Sequence, residues 1–256
     1  TAMILNTFIE VYLQPGDSIH VKVTYSGRRY DKVEFSGTPA AVVVNSKVHE
    51  KEVLQRERGY KTNIPAMLVT LMDAKKFHAA TLQEWKDEVE ILKQVRDQVD
   101  SRVYNMVLSG IEGTLLTNLI TYPYASSSYH KKKLEDCMAA DYWTVLDGYK
   151  LRDDEASLRS RPYMCLLAPY KEYIRGKEAH AAGKEYKPGD SLEEKYEDFV
   201  AFYDGKLRDA ALFVFLYDSI AASNKDFDVI EKLVKDYLKK YNKEKEYKRI
   251  LNQVMR

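Results

Sequence analysis

Apolar and polar residues alternate along this chain with two different periods. Over residues 1–37 the period is two. Residues 8–13 alternate and are rich in β-formers, and Ile19, Val21, Val23 and Tyr25 alternate with His20, Lys22 and Thr24. Such alternation predicts half-buried strands. Gln14-Pro15-Gly16-Asp17 predicts a turn between them, because Pro15 presets φ and Gly16 tolerates positive φ. Ser26-Gly27 predicts a second turn, and Val33 with Phe35 a third strand ending at Ser36-Gly37. Three strands are few for an independent sheet, so helices must cover one face, or further strands must complete it.

From Pro39 the period becomes helical. Residues 40–58 predict a helix broken at Gly59, and residues 65–72 a second segment. Thr81 with Glu84 fits a capping box. Leu82, Trp85, Val89, Leu92, Val95, Val99, Val103 and Met106 then recur at steps of three and four. That spacing predicts one amphipathic helix of about seven turns. Gly110 and Gly113 loosen the chain, Pro123 and residues 126–128 predict a loop, and residues 129–142 a further helix. Pro162 suits a helix first turn, whereas Pro169 should kink or divide the apolar face of Tyr163, Leu166, Leu167, Tyr170 and Ile174. Residues 177–190 predict a polar loop, and Ser191 with Glu194 a second capping box.

The densest apolar run, residues 210–217, reads Ala-Ala-Leu-Phe-Val-Phe-Leu-Tyr. A helix apolar nearly all round belongs at the centre of a bundle. This predicts a central helix over about 206–222, with Phe213, Leu216 and Ile220 among its most buried residues. Stripes on residues 227–241 and 247–254 predict two more helices, with Asn242 ending the first. The fold class expected is mainly α: a helical bundle with a small N-terminal antiparallel β-sheet. Residues 1–37 would form a partial β domain and residues 38–256 a helical domain.

Composition narrows the function. The hydrophobic fraction of 45% is that of a folded protein. Forty basic and 39 acidic residues leave a formal net charge of +1, too small a field to gather nucleic acid or an anionic membrane from a distance. Lys131, Lys132 and Lys133 form a local basic run that reads as a solvated face. No segment reaches the ~20 apolar residues of a membrane span. The chain begins in mid-pattern, which predicts a targeting segment before Thr1, and the unfinished stripe near Arg256 predicts more chain after it.

Candidate chemistry is sparse. Cys137 and Cys165 are too far apart for a C-x-x-C or zinc pair, and read as buried thiols or a disulfide between helices. His49-Glu50 opens an H-E-x-x-H pattern that Val53 ends. Asp153 and Asp154 read as solvated acids. The motifs for phosphate, dinucleotide or nucleophilic-serine chemistry are missing, so no catalytic residue, metal or cofactor is expected, and a hydrolase would need a dispersed site. The twenty tyrosines suit either packing or ligand stacking. Tyr122, Tyr124, Tyr129 and Trp143, with Tyr142 beside them, are the ligand candidates, fit for a glycan or a peptide.

Two regions together resemble a known family. Residues 11–23, VYLQPGDSIHVKV, are followed by VEFSG at 33–37. Residues 151–174, LRDDEASLRSRPYMCLLAPYKEYI, are followed by GKLRDAALFVFLYDSI at 205–220 and the stripes from 227 to 255. This pattern resembles the region preceding the thioredoxin domain in TlpA-like thiol-disulfide oxidoreductases of Gram-negative envelopes. Here the C-x-x-C domain and the earlier β strands of that family are missing, so no functional residue carries over. The resemblance implies a periplasmic or cell-envelope address, anchored by lipid through a segment outside this sequence. It also implies a non-catalytic interaction or positioning role, with a protein partner or a second copy of the chain. The alternative is an envelope glycan- or peptide-binding module using the aromatic group.

Overall fold

The computed structural model describes residues 2–4, 7–26, 29–57, 65–222, 226–241 and 244–255. The expected turn at Gly27, the helix break at Gly59 and the helix end at Asn242 lie outside the described residues. The protein is mainly α with small N-terminal antiparallel strand pairs. The chain divides into two compact units, Thr1–Tyr142 and Trp143–Arg256. The strand region therefore shares its unit with the first four helices.

In the first unit, β1 (Ala2–Ile4) pairs with β2 (Thr7–Ile9), and β3 (Ile19–Ser26) with β4 (Arg29–Gly37). Between β2 and β3 the predicted turn forms: Gly16 takes φ 92°, and the Asp17 N–H donates to the Gln14 carbonyl at 3.0 Å. The strand expected over residues 8–13 stops at Ile9. The reason is Asn45, fully buried on α1 (Pro39–Glu57). Its amide donates to the Tyr12 carbonyl at 2.8 Å and accepts from the Tyr12 N–H at 2.7 Å. A side chain thus takes both Tyr12 backbone groups that a strand partner would use. Gly37 ends β4 at φ 139°, where a Cβ would sit 2.2 Å from the Ser18 carbonyl oxygen, so only glycine fits.

After α2 (Pro65–Leu68) come α3 (Ala74–Lys93) and α4 (Ser101–His130), joined through a 3-10 turn at Arg96–Gln98. The single helix expected across residues 82–106 is therefore two. Asp100 caps α4, accepting from the Arg102 N–H at 2.8 Å. The three–four rhythm survives the break because Val95 and Val99, on the connecting segment, pack into the same core as Leu92, Val103 and Val107. Thr81 is not a helix start. It is buried inside α3, whose cap is Asp73, accepting from the Lys76 N–H at 2.8 Å. The loop expected at Pro123 and residues 126–128 is helix, and Gly110 and Gly113 lie inside α4 as well. Burial explains both: Gly110, Gly113, Tyr122, Pro123 and Ser126 face the core, which outweighs their weak helix propensity. Lys131 ends α4 in the left-handed conformation at φ 55°. Of the helix expected over residues 129–142, only Tyr129 and His130 are helical, as the end of α4; residues 131–142 are irregular chain with short 3-10 turns.

In the second unit, α5 (Arg161–Ala181) carries Pro162 in its first turn and runs unbroken through Pro169. The polar loop consequently begins at Ala182 rather than Lys177. The Ser191 capping box forms as predicted: the Glu194 N–H donates to Ser191 Oγ at 3.1 Å, and the Ser191 N–H to Glu194 Oε2 at 3.1 Å. It opens α6 (Leu192–Phe202), which stops at Tyr203 before α7 (Gly205–Ala222) begins. Helix α7 packs against α5, α6, α8 (Phe227–Lys240) and α9 (Lys245–Val254). Residues 209–214 and Leu216 are all buried, as an apolar central helix requires. Ile220 is only half-buried, because it lies close to the end of the helix.

Candidate functional site

The second unit carries an open groove of about 720 Å³ along α5 and α7. Met164, Cys165 and Ala168 of α5 form one wall, and Ala211, Val214 and Phe215 of α7 the other. Ala168 and Ala211 explain the space, since neither side chain extends beyond Cβ. Leu192 of α6 also lines the groove, and Asp218, Ser219 and Asp226 supply its polar rim. Arg161 Nη2 holds Asp218 Oδ1 at 2.6 Å, and its guanidinium lies 4.9 Å from the centre of the Tyr217 ring. The groove is therefore apolar along its walls, and Asp218 is compensated by a fixed cation.

Cys165 brings a thiol to this groove. Burial pushes its thiol above the usual range, and the adjacent Arg161 pulls it only partly back. A thiol held protonated is a poor nucleophile, because the thiolate is the reactive form. Cys137 is buried in the first unit, and both cysteines are free.

A second polar feature links α5 to α6. Lys171, almost fully buried, donates to Glu172 Oε1 at 2.8 Å and to the Asp198 carboxylate, and its Nζ lies 4.8 Å from the centre of the Phe199 ring. Arg175 reaches the other Asp198 oxygen at 3.5 Å. Two cations face two carboxylates, so the charges balance. Such a network holds helices in register, since removing one partner would strand a buried charge.

The aromatic candidates have unlike surroundings. Tyr122 is core: it stacks on Phe77 with centroids 4.1 Å apart, and its hydroxyl donates to the Met72 carbonyl. Tyr142 is also buried and donates to the Ile120 carbonyl at 3.0 Å. Tyr124 and Tyr129 are exposed on α4. Trp143 belongs to the second unit, where it stacks on His180 with centroids 5.2 Å apart and closes over Gly176. Asp154 is structural: its carboxylate accepts from the Ser157 N–H at 3.0 Å and from the Ser157 hydroxyl at 2.7 Å. Among the described residues, no group of three His, Cys, Asp or Glu side chains is placed to hold a metal ion. No helix among them is long and apolar enough to cross a membrane.

The groove and the Lys171 network went unread in the sequence. The groove had one faint signal: Ala211 sits between the larger apolar residues Leu207, Val214 and Phe215 at helical spacing. Lys171 had none, since a lysine between two tyrosines on a helix reads as solvated. Comparison of the chain with protein-family models, with curated proteins and with solved structures finds no match.

Proposed function

We propose that this chain is a non-catalytic interaction module of a cell-envelope thiol-disulfide oxidoreductase-like protein, and that the α5–α7 groove receives an apolar helix of its protein partner. The open apolar groove itself carries this reading. Helices dock into such grooves by laying one apolar face into them. The neutral character of Cys165 supports a role in packing rather than thiol exchange. The resemblance to the region preceding the thioredoxin domain in TlpA-like proteins supplies the partner class and the envelope address.

Two measurements test it. The chain should reduce no insulin, and robust turnover would refute the non-catalytic role. Binding to a polypeptide carrying a TlpA-type thioredoxin domain, followed by titration calorimetry, should be lost in Ala168→Arg, which places a charge in the groove from a half-buried position. Unchanged binding in a variant with wild-type thermal stability would rule out the groove. If Ala168→Arg instead abolishes self-association seen by sedimentation, the occupant is a second copy.

A further inference from the structure

Met67 and Leu71 protrude from the segment formed by α2 and the turn after it, 59% and 61% exposed. Large apolar side chains that open to water are unusual in so short a span, and clustered ones mark interaction surfaces. The C-terminal end of α4 lies against this segment. His130 Nε2 donates to the Val69 carbonyl at 3.1 Å, midway between Met67 and Leu71. Tyr129, 58% exposed, and the exposed Lys131, Lys132 and Lys133 flank His130. The lysine segment is held to the helix: Ser127 Oγ donates to the Lys132 carbonyl at 2.7 Å, and the Lys132 N–H donates to the Ser127 carbonyl at 3.3 Å. Lysines at a helix C-terminus are common because they complement its dipole. That does not explain the exposure of Met67, Leu71 and Tyr129.

We propose that this corner of the first unit is a peripheral docking site for an anionic lipid surface. Charge complementarity selects the occupant. Three adjacent lysines face outward, and Glu135 and Asp136 follow them along the chain without interrupting the run. Protruding apolar tips need a medium that yields around them, which acyl chains do, whereas a folded protein must present a matching pit. A tyrosine ring suits the headgroup level, with its apolar body and polar tip. The chain carries a formal net charge of only +1, so the attraction is local and acts within a Debye length of about 8 Å. Attachment would therefore be weak and reversible, strengthened by any second membrane contact.

Vesicle co-sedimentation of the whole chain tests the site. The chain should sediment with phosphatidylglycerol–phosphatidylcholine vesicles, far less with phosphatidylcholine alone, and be released by salt. Replacing Lys131, Lys132 and Lys133 together by Ser should lower the partition coefficient about 100-fold, roughly fivefold per lysine. Met67→Ser with Leu71→Ser should also weaken binding to anionic vesicles while leaving thermal stability unchanged, since both side chains are mostly in water. Equal binding to both vesicle types, or anionic binding that survives both sets of substitutions, would overturn the proposal. So would an absence of vesicle binding together with self-association that the Met67 and Leu71 substitutions abolish, which would make the corner a protein interface.

Discussion

Buried tyrosines tie together the interior of the second unit. Tyr203 donates to the Leu167 carbonyl at 2.7 Å, Tyr237 to the Asp209 carbonyl at 2.8 Å, and Tyr247 to the Leu158 carbonyl at 2.8 Å. In each case the ring fills core volume and the hydroxyl satisfies a backbone acceptor far away in sequence. Burial, more than any neighbouring charge, pushes all three phenols above their usual range. The folded state thus binds protons that the unfolded state gives up near pH ~10. Stability should be fully present below that pH and should fall as pH rises above it. An absorbance titration of the phenolate band, run beside circular dichroism, should show these phenols ionising only as helix is lost. Complete ionisation with helix intact would contradict their burial. Tyr237→Phe should cost about 1 kcal/mol in a denaturant melt, the net worth of one buried hydrogen bond.

Single elements owe their ends to caps. Ser191 and Glu194 satisfy the first turn of α6 by reciprocal bonds, and Asp73 does the same alone for α3. Ser191→Ala and Asp73→Ala are each expected to lower stability by about 1 kcal/mol in thermal melts. Thr81→Val should be tolerated, which a capping threonine would not allow, because Thr81 sits mid-helix. The contrast separates two motifs of the same form in sequence. A capping box works only where the chain is entering a helix. At Ser191 the preceding loop supplies that entry. At Thr81 the chain has already been helical since Ala74, because Asp73 offered an earlier cap.

At the scale of the whole molecule, two units each carry their own core. In the second, α7 touches four other helices, and its buried face joins Tyr237 of α8 and Tyr247 of α9. Phe213 stacks on Tyr247 with centroids 4.4 Å apart. A fragment of residues 143–256 should therefore fold alone, with a helical circular dichroism spectrum and one cooperative thermal transition. A featureless melt would show that its core needs residues of the first unit. The boundary at Tyr142 lies far from the change of period near residue 38. Periodicity marks where element type changes, whereas unit boundaries follow packing: α1 closes on β4 and α3, so strands and helices share one unit.

What the residues determine alone is local. The turn at Gly16, the β3–β4 alternation, the Ser191 box and the helix through residues 205–222 each follow from φ preferences, period or capping within a few residues. Contacts between distant segments decided the rest. Asn45 ended a strand by binding Tyr12, 33 residues away. Burial carried α4 through Gly110, Gly113 and Pro123, and α5 through Pro169. Tyr122 became core by stacking on Phe77. The α5–α7 groove exists because two alanines on separate helices face a shared space, and the Lys171 network because α6 brings Asp198 to α5. Such features depend on which surfaces meet, and a one-dimensional pattern records the surfaces without their partners.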